Sequence, residues 1–294
     1  MANRRRSICT VAFCLLACAI ATFSMGHTRS QDSRLSAAVA FTSSGTNIER
    51  FLQRPGKGYV QVYLRFGTDM ADDVIMTIDQ ELLEGISHPL SFKGADWMAL
   101  VGVQRSGIVW VATGTQETER GVPSKDRAWK IFDLKSRLQP DTWYKVRTEV
   151  DFSRHHFHSF TIEGPGLKRV LDLNNLTLDY PNYMPFDSRS MTYYVAAIRG
   201  RSMMKREGTP IVYFDDVEAG IEAANGQWDM VFTNDFEKQK EVTKQPVTLP
   251  TIKIANYEQG TWYLEREEAL FKIEEASFAH SGKHIGVADV HLGK

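Results

Sequence analysis

The sequence predicts an all-β protein, a sandwich or barrel of antiparallel strands. Three observations predict it. Apolar and polar residues alternate through many short segments. Clusters of Gly, Pro, Ser and Asp separate those segments at spacings of about ten to fifteen residues. No stretch carries sustained helical periodicity.

The clearest segment is 58–66, GYVQVYLRF. Val60, Val62, Leu64 and Phe66 share one face, predicted to be buried, and Tyr59, Gln61, Tyr63 and Arg65 share the other. Residues 73–79, 97–104, 108–113, 128–133, 143–152, 158–163, 191–198 and 211–217 read the same way. Turn chemistry falls between them at Arg105-Ser-Gly107, Gln139-Pro-Asp141, Gly164-Pro-Gly166 and Gly208-Thr-Pro210. Residues 81–85 and 135–138 read as a helical turn at most.

The N-terminus predicts export. Arg4, Arg5 and Arg6 precede an uncharged apolar run, residues 8–23, and Ala19 and Ala21 are small enough for signal peptidase. Residues 1–21 are therefore expected to be a signal peptide and 22–37 a flexible segment. A rival processing site, Leu15-Leu16-Ala17-Cys18, has the form of a lipoprotein box and would place a lipid anchor on Cys18. Either way the expected location is secreted, periplasmic or cell-surface.

All three cysteines, Cys9, Cys14 and Cys18, fall in that signal. The remaining chain has no disulfide and no Cys-ligated metal, and at this length a core suffices without them. The chain has 35 basic and 36 acidic residues, and residues 1–21 hold three Arg and no acid. That leaves 32 against 36, a net of −4. Nothing in that balance supports nucleic-acid binding.

Residues 141–152 (DTWYKVRTEVDF) and 157–164 (FHSFTIEG) form a predicted hairpin, and 209–220 (TPIVYFDDVEAG) a strand ending on adjacent acids. Together they resemble the concanavalin A-like, laminin-G-like jelly roll. The resemblance covers about residues 38–220 and implies a two-sheet antiparallel jelly-roll β-sandwich over residues 38–222. It also implies carbohydrate or cell-surface recognition without catalysis, with a polysaccharide or glycan as partner. A polysaccharide lyase or glycoside hydrolase is the alternative, and a structural or adhesion protein a third reading.

The segment 228–294 is expected to complete this sandwich by circular permutation, or else to form a partial second module. Asp235-Phe-Glu237, Gly260-Thr-Trp262 and residues 279–289 (AHSGKHIGVAD) resemble the opening and later strands of jelly-roll carbohydrate-binding modules. An open apolar sheet edge is a hazard, which favours completion. The same resemblance implies a structural Ca²⁺ held by Asp216 and Glu237. The plainer reading is that Asp215 and Asp216 end a strand at solvent.

Other candidates carry weaker patterns. His156 and His158 are spaced to share a strand face, as metal ligands do, but lie beside a predicted turn. Asp79, Glu81 and Glu84 cluster without the one-face alternation that laminarinase-type relatives show. Arg147-Thr-Glu-Val150 resembles an alginate-lyase strand, but Asp151 stands where that pattern has Arg. Trp129 and Tyr183 are the aromatics expected to stack on a sugar ring. Most other tryptophans are expected in the core. Arg199, Arg201, Lys205 and Arg206 form a basic loop, and Asn175-Leu-Thr177 is a glycosylation sequon.

Overall fold

The structure, a computed structural model, describes residues 37–44, 51, 54–70, 74–84, 95–113, 128–182, 190–198, 211–238, 243–244, 263–264 and 270–289. The predicted signal sequence, Tyr183, Trp262 and the basic loop lie outside them.

Every named element is a strand. They begin with β1 (Ala37–Ser44), β2 (Lys57–Phe66), β3 (Ile75–Glu84), β4 (Ala95–Met98), β5 (Val101–Gln104) and β6 (Ile108–Thr113). Next come β7 (Ala128–Asp133), β8 (Trp143–Asp151), β9 (His156–Gly164), β10 (Leu167–Asp172), β11 (Asp179–Asn182) and β12 (Ser190–Ile198). The last are β13 (Ile211–Glu222), β14 (Trp228–Asn234), β15 (Thr243–Lys244), β16 (Tyr263–Leu264), β17 (Leu270–Glu275) and β18 (His284–Asp289).

The strands form two sheets. The first runs β15-β16-β1-β12-β3-β5-β6-β7, with β4 also on β3 and β11 on β4. The second runs β10-β9-β8-β2-β13-β18-β17, with β14 also on β13. Every pairing is antiparallel except β15 with β16. The fold is a two-sheet antiparallel jelly-roll β-sandwich.

Alternation builds the core. Val60, Val62, Leu64 and Phe66 of β2 are fully buried. They join Met76 and Ile78 of β3, Val146 and Val150 of β8, and Phe160 and Ile162 of β9 in one cluster. Burying each such side chain contributes about 1.5–3 kcal/mol. Gln80 also points into this layer, and its Nε2 donates to the Thr148 carbonyl at 3.0 Å. One hydrogen bond thus ties the first sheet to the second across an apolar interior. The other face of β2 is less open than its polarity suggests, because Tyr59 and Gln61 are also buried.

Two local expectations change. Residues 81–84 are not a helical turn but the end of β3, because Glu81–Glu84 pairs with Ala95–Met98 on one side and with β12 on the other. Residues 97–104 divide into β4 and β5, which keep one continuous register along β3.

β13 organises the second sheet. Its first part, Ile211 to Phe214, pairs with β18, and its later part, Val217 to Glu222, pairs with β14. Between them the register with β2 shifts, and Asp216 adopts a positive φ of 45°. Phe214 and Val217 both face the core although three residues apart. The extra residue of a bulge makes that possible. Asp tolerates the left-handed region better than most residues. The bulge leaves Asp215 and Asp216 in the gap between β18 and β14. Residues after Gly220 thereby contribute to both sheets, through β14, β17 and β18 in the second and β15 and β16 in the first.

Candidate functional site

The side chains of β3 alternate between the core and the outer face of the first sheet. Met76, Ile78 and Leu82 join the core. Thr77, Asp79 and Glu81 therefore share the opposite face. All three are buried, Asp79 at 3% exposure and Glu81 at 1%. Tyr194 of β12 stands opposite Asp79, and Met98 of β4 opposite Glu81. β3 lies well inside the sheet, with paired strands on both sides.

Trp129, a predicted sugar-stacking residue, lies on this face too. It packs on Met98, Leu100 and Ala112, and its ring meets Trp110 edge to face at 6.2 Å. Trp110 Nε1 donates to Gln104 Oε1 at 2.9 Å. Met98 therefore joins Trp129 to the position opposite Glu81. Two acids, two indoles and an amide converge on one sheet face. The sequence shows the cluster Asp79, Glu81 and Glu84 but reads as lacking one-face alternation, because residues 81–85 look like a turn. As strand through Glu84, β3 puts Asp79 and Glu81 on one face.

Arg147 and Glu149 lie on the other sheet. Arg147 Nε donates to Glu149 Oε1 at 2.8 Å, and its guanidinium sits 3.7 Å from the Tyr59 ring centroid and 5.2 Å from that of Trp228. Tyr59 donates its hydroxyl to Glu218, and burial is the main reason its pKa is raised. His156 and His158 are engaged separately, His156 with the Arg154 carbonyl and His158 with Asn174.

A second polar centre fills the β13 bulge. Asp215 is fully buried and accepts backbone N–H bonds from Asp216, His280 and Ser281 at 2.8, 2.8 and 3.1 Å. Burial pushes its carboxyl up to about 6, against the opposing effect of those donors. Asp216 Oδ1 accepts from Ser281 Oγ at 2.6 Å, and Oδ2 meets His280 Nδ1 at 2.5 Å. Glu237 Oε1 accepts from the backbone of Lys283 and of His284, and Oε2 meets His284 Nδ1 at 3.1 Å. Those N–H groups hold its carboxyl down at about 2.

Asp216 and Glu237, the residues assigned to calcium, therefore lie against one hairpin, β17–β18. Their oxygens face hydrogen-bond donors from it. Among the described residues no group of three or more His, Cys, Asp or Glu is arranged to hold a metal ion. Such a donor set does not fit calcium, which takes about six to eight oxygen ligands.

This architecture is that of an all-β, two-sheet jelly-roll sandwich. No family model matches the chain, and no curated protein matches its sequence. Solved structures similar to it include the PL-14 alginate lyase from Aplysia kurodai, at 9% identity and TM-score 0.30, covering 49% of this chain and 69% of that one. An alginate lyase from Pseudomonas aeruginosa is similar at 13% identity and TM-score 0.30, covering 56% and 65%. A glycoside hydrolase family 16 endo-glucanase from Bacteroides ovatus is similar at 8% identity and TM-score 0.31, covering 63% and 81%.

Proposed function

We propose that this protein is exported and cleaves a polysaccharide on the outer face of its first sheet, with Asp79 and Glu81 as the acid pair. The observation that carries the reading is their placement on one face of β3, two residues apart. That spacing along a strand is about 6.5–7 Å. Glycoside hydrolysis needs two carboxyl groups about 5–10 Å apart, one to protonate the leaving oxygen and one to act as nucleophile or to activate water. Trp110 and Trp129 supply an apolar surface for the C–H face of a sugar ring, and Gln104 an amide for hydroxyl groups.

A second reading is sugar binding without cleavage. The same burial of both carboxylates supports it, since a shielded acid meets a glycan less readily. The deciding experiment incubates the mature chain with a panel of neutral and acidic polysaccharides. New reducing ends, absent in Asp79→Asn and Glu81→Gln, support cleavage. Retention on a polysaccharide without products supports the binding module. Neither result on any substrate removes both.

A further inference from the structure

The tip of the β17–β18 hairpin does more than join two strands. It folds across the outer side of the second sheet and meets β13, β2 and β8. On β13 it gives N–H and O–H groups to Asp215 and Asp216. On β2 the Tyr63 ring stacks on His280 with centroids 3.5 Å apart, and the Arg65 guanidinium sits 4.1 Å from the Phe278 ring centroid. On β8 Trp143 Nε1 donates to the Phe278 carbonyl at 2.8 Å. Glu237, just beyond β14, closes the remaining side through Lys283 and His284. At Gly282, φ is +58°, and a Cβ built there would overlap the Glu237 carboxylate.

Three carboxylates from two segments thus converge on one short tip. The jelly-roll resemblance expects a divalent cation between such strands. A cation and an N–H hydrogen compete for the same oxygen lone pairs, and here the chain supplies the hydrogens. We propose that residues 280–284 act as an internal substitute for that cation, a clamp that closes the second sheet without metal. A substitute of this kind needs no loading step and is present wherever the chain is folded. It also sets the bulge of β13, since Asp215 and Asp216 hold their conformation only while the tip returns their bonds.

The test measures thermal melting and amide hydrogen exchange of the mature chain in EDTA and in excess calcium. The expected result is one Tm in both conditions, with the amides of His280, Ser281, Lys283 and His284 equally protected. Ligands that bind only the folded state raise Tm, so a calcium-dependent rise that EDTA reverses and Asp216→Asn abolishes overturns the proposal. In Glu237→Gln, a surface change that leaves the core intact, the Lys283 and His284 amides are expected to exchange about tenfold faster while the β2 and β8 amides stay protected. Unchanged exchange at Lys283 and His284 in that variant also overturns it.

Discussion

Glu237 and Gly282 share one place: the carboxylate of the first occupies the volume that a Cβ on the second would need. Gly282 is therefore required twice, for its left-handed backbone and for its missing side chain. Gly282→Ala carries about 1–2 kcal/mol of backbone cost alone. It also pushes Glu237 off the two N–H groups it accepts. The expected outcome is a lower urea midpoint with an unchanged slope. A variant as stable as the parent would show that the tip adjusts freely.

Asp215 gives the fold a pH signature. Its folded-state pKa, about 6, lies above the ordinary Asp value of 3.8, so the folded chain holds the proton more tightly than the unfolded one. Its contribution is fully present below about pH 4 and is lost as pH rises through about 6. Glu237 runs the other way, because its pKa is depressed. Its contribution is present above the ordinary value of 4.5 and lost as pH falls toward about 2. Tm measured from pH 4 to 7 in parent and Asp215→Asn separates the two. The variant is expected to lack the decline that Asp215 imposes, and parallel curves would refute the assignment.

Much of the sandwich was legible in the sequence because its strands alternate locally. β2 shows this best, with four apolar residues at every second position and all four fully buried. Where local and tertiary preferences diverge, the reading failed. Glu81-Leu-Leu-Glu84 resembles a helical turn, yet partners on both sides hold it as strand. That misreading is why Asp79 and Glu81, within their cluster with Glu84, were denied a common face. The bulge partners were illegible for a different reason: Ser281 lies 66 residues beyond Asp215, and no local pattern marks the hydrogen bond between them.

Replacing either sheet-face acid is expected to separate activity from folding. Asp79→Asn and Glu81→Gln keep shape and volume while removing the titrating carboxyl. Loss of a positioned acid or base costs about 10²–10⁴ in rate. The expected outcome is a fall of at least about 10² in kcat on the cleaved polysaccharide, with native far-ultraviolet circular dichroism. Wild-type rates in both variants would move the chemistry elsewhere.

Trp129 is expected to affect binding more than turnover. Its packing on Met98 and its edge-to-face contact with Trp110 hold the indole in place. Aromatic contacts of this kind are worth about 0.5–1.5 kcal/mol. Trp129→Ala should raise KM or Kd for the polysaccharide by about two- to tenfold and leave kcat nearly unchanged. A fall in kcat with constant KM would place Trp129 closer to the reacting bond.

Cutting the chain after Gly226 tests how far the C-terminal strands belong to the sandwich. The cut removes the five strands β14 to β18 together. It strips the partners from both parts of the β13 edge and takes from Asp215 its His280 and Ser281 donors. An open edge of this length invites pairing between chains. A buried carboxylate that loses its donors costs about 1–3 kcal/mol or more. Both effects act on the strand that contributes Phe214 and Val217 to the core. The shortened chain is expected to lose cooperative unfolding or to aggregate, measured by melting and light scattering. A soluble product with the parent Tm would mean that residues 1–226 form a complete sandwich.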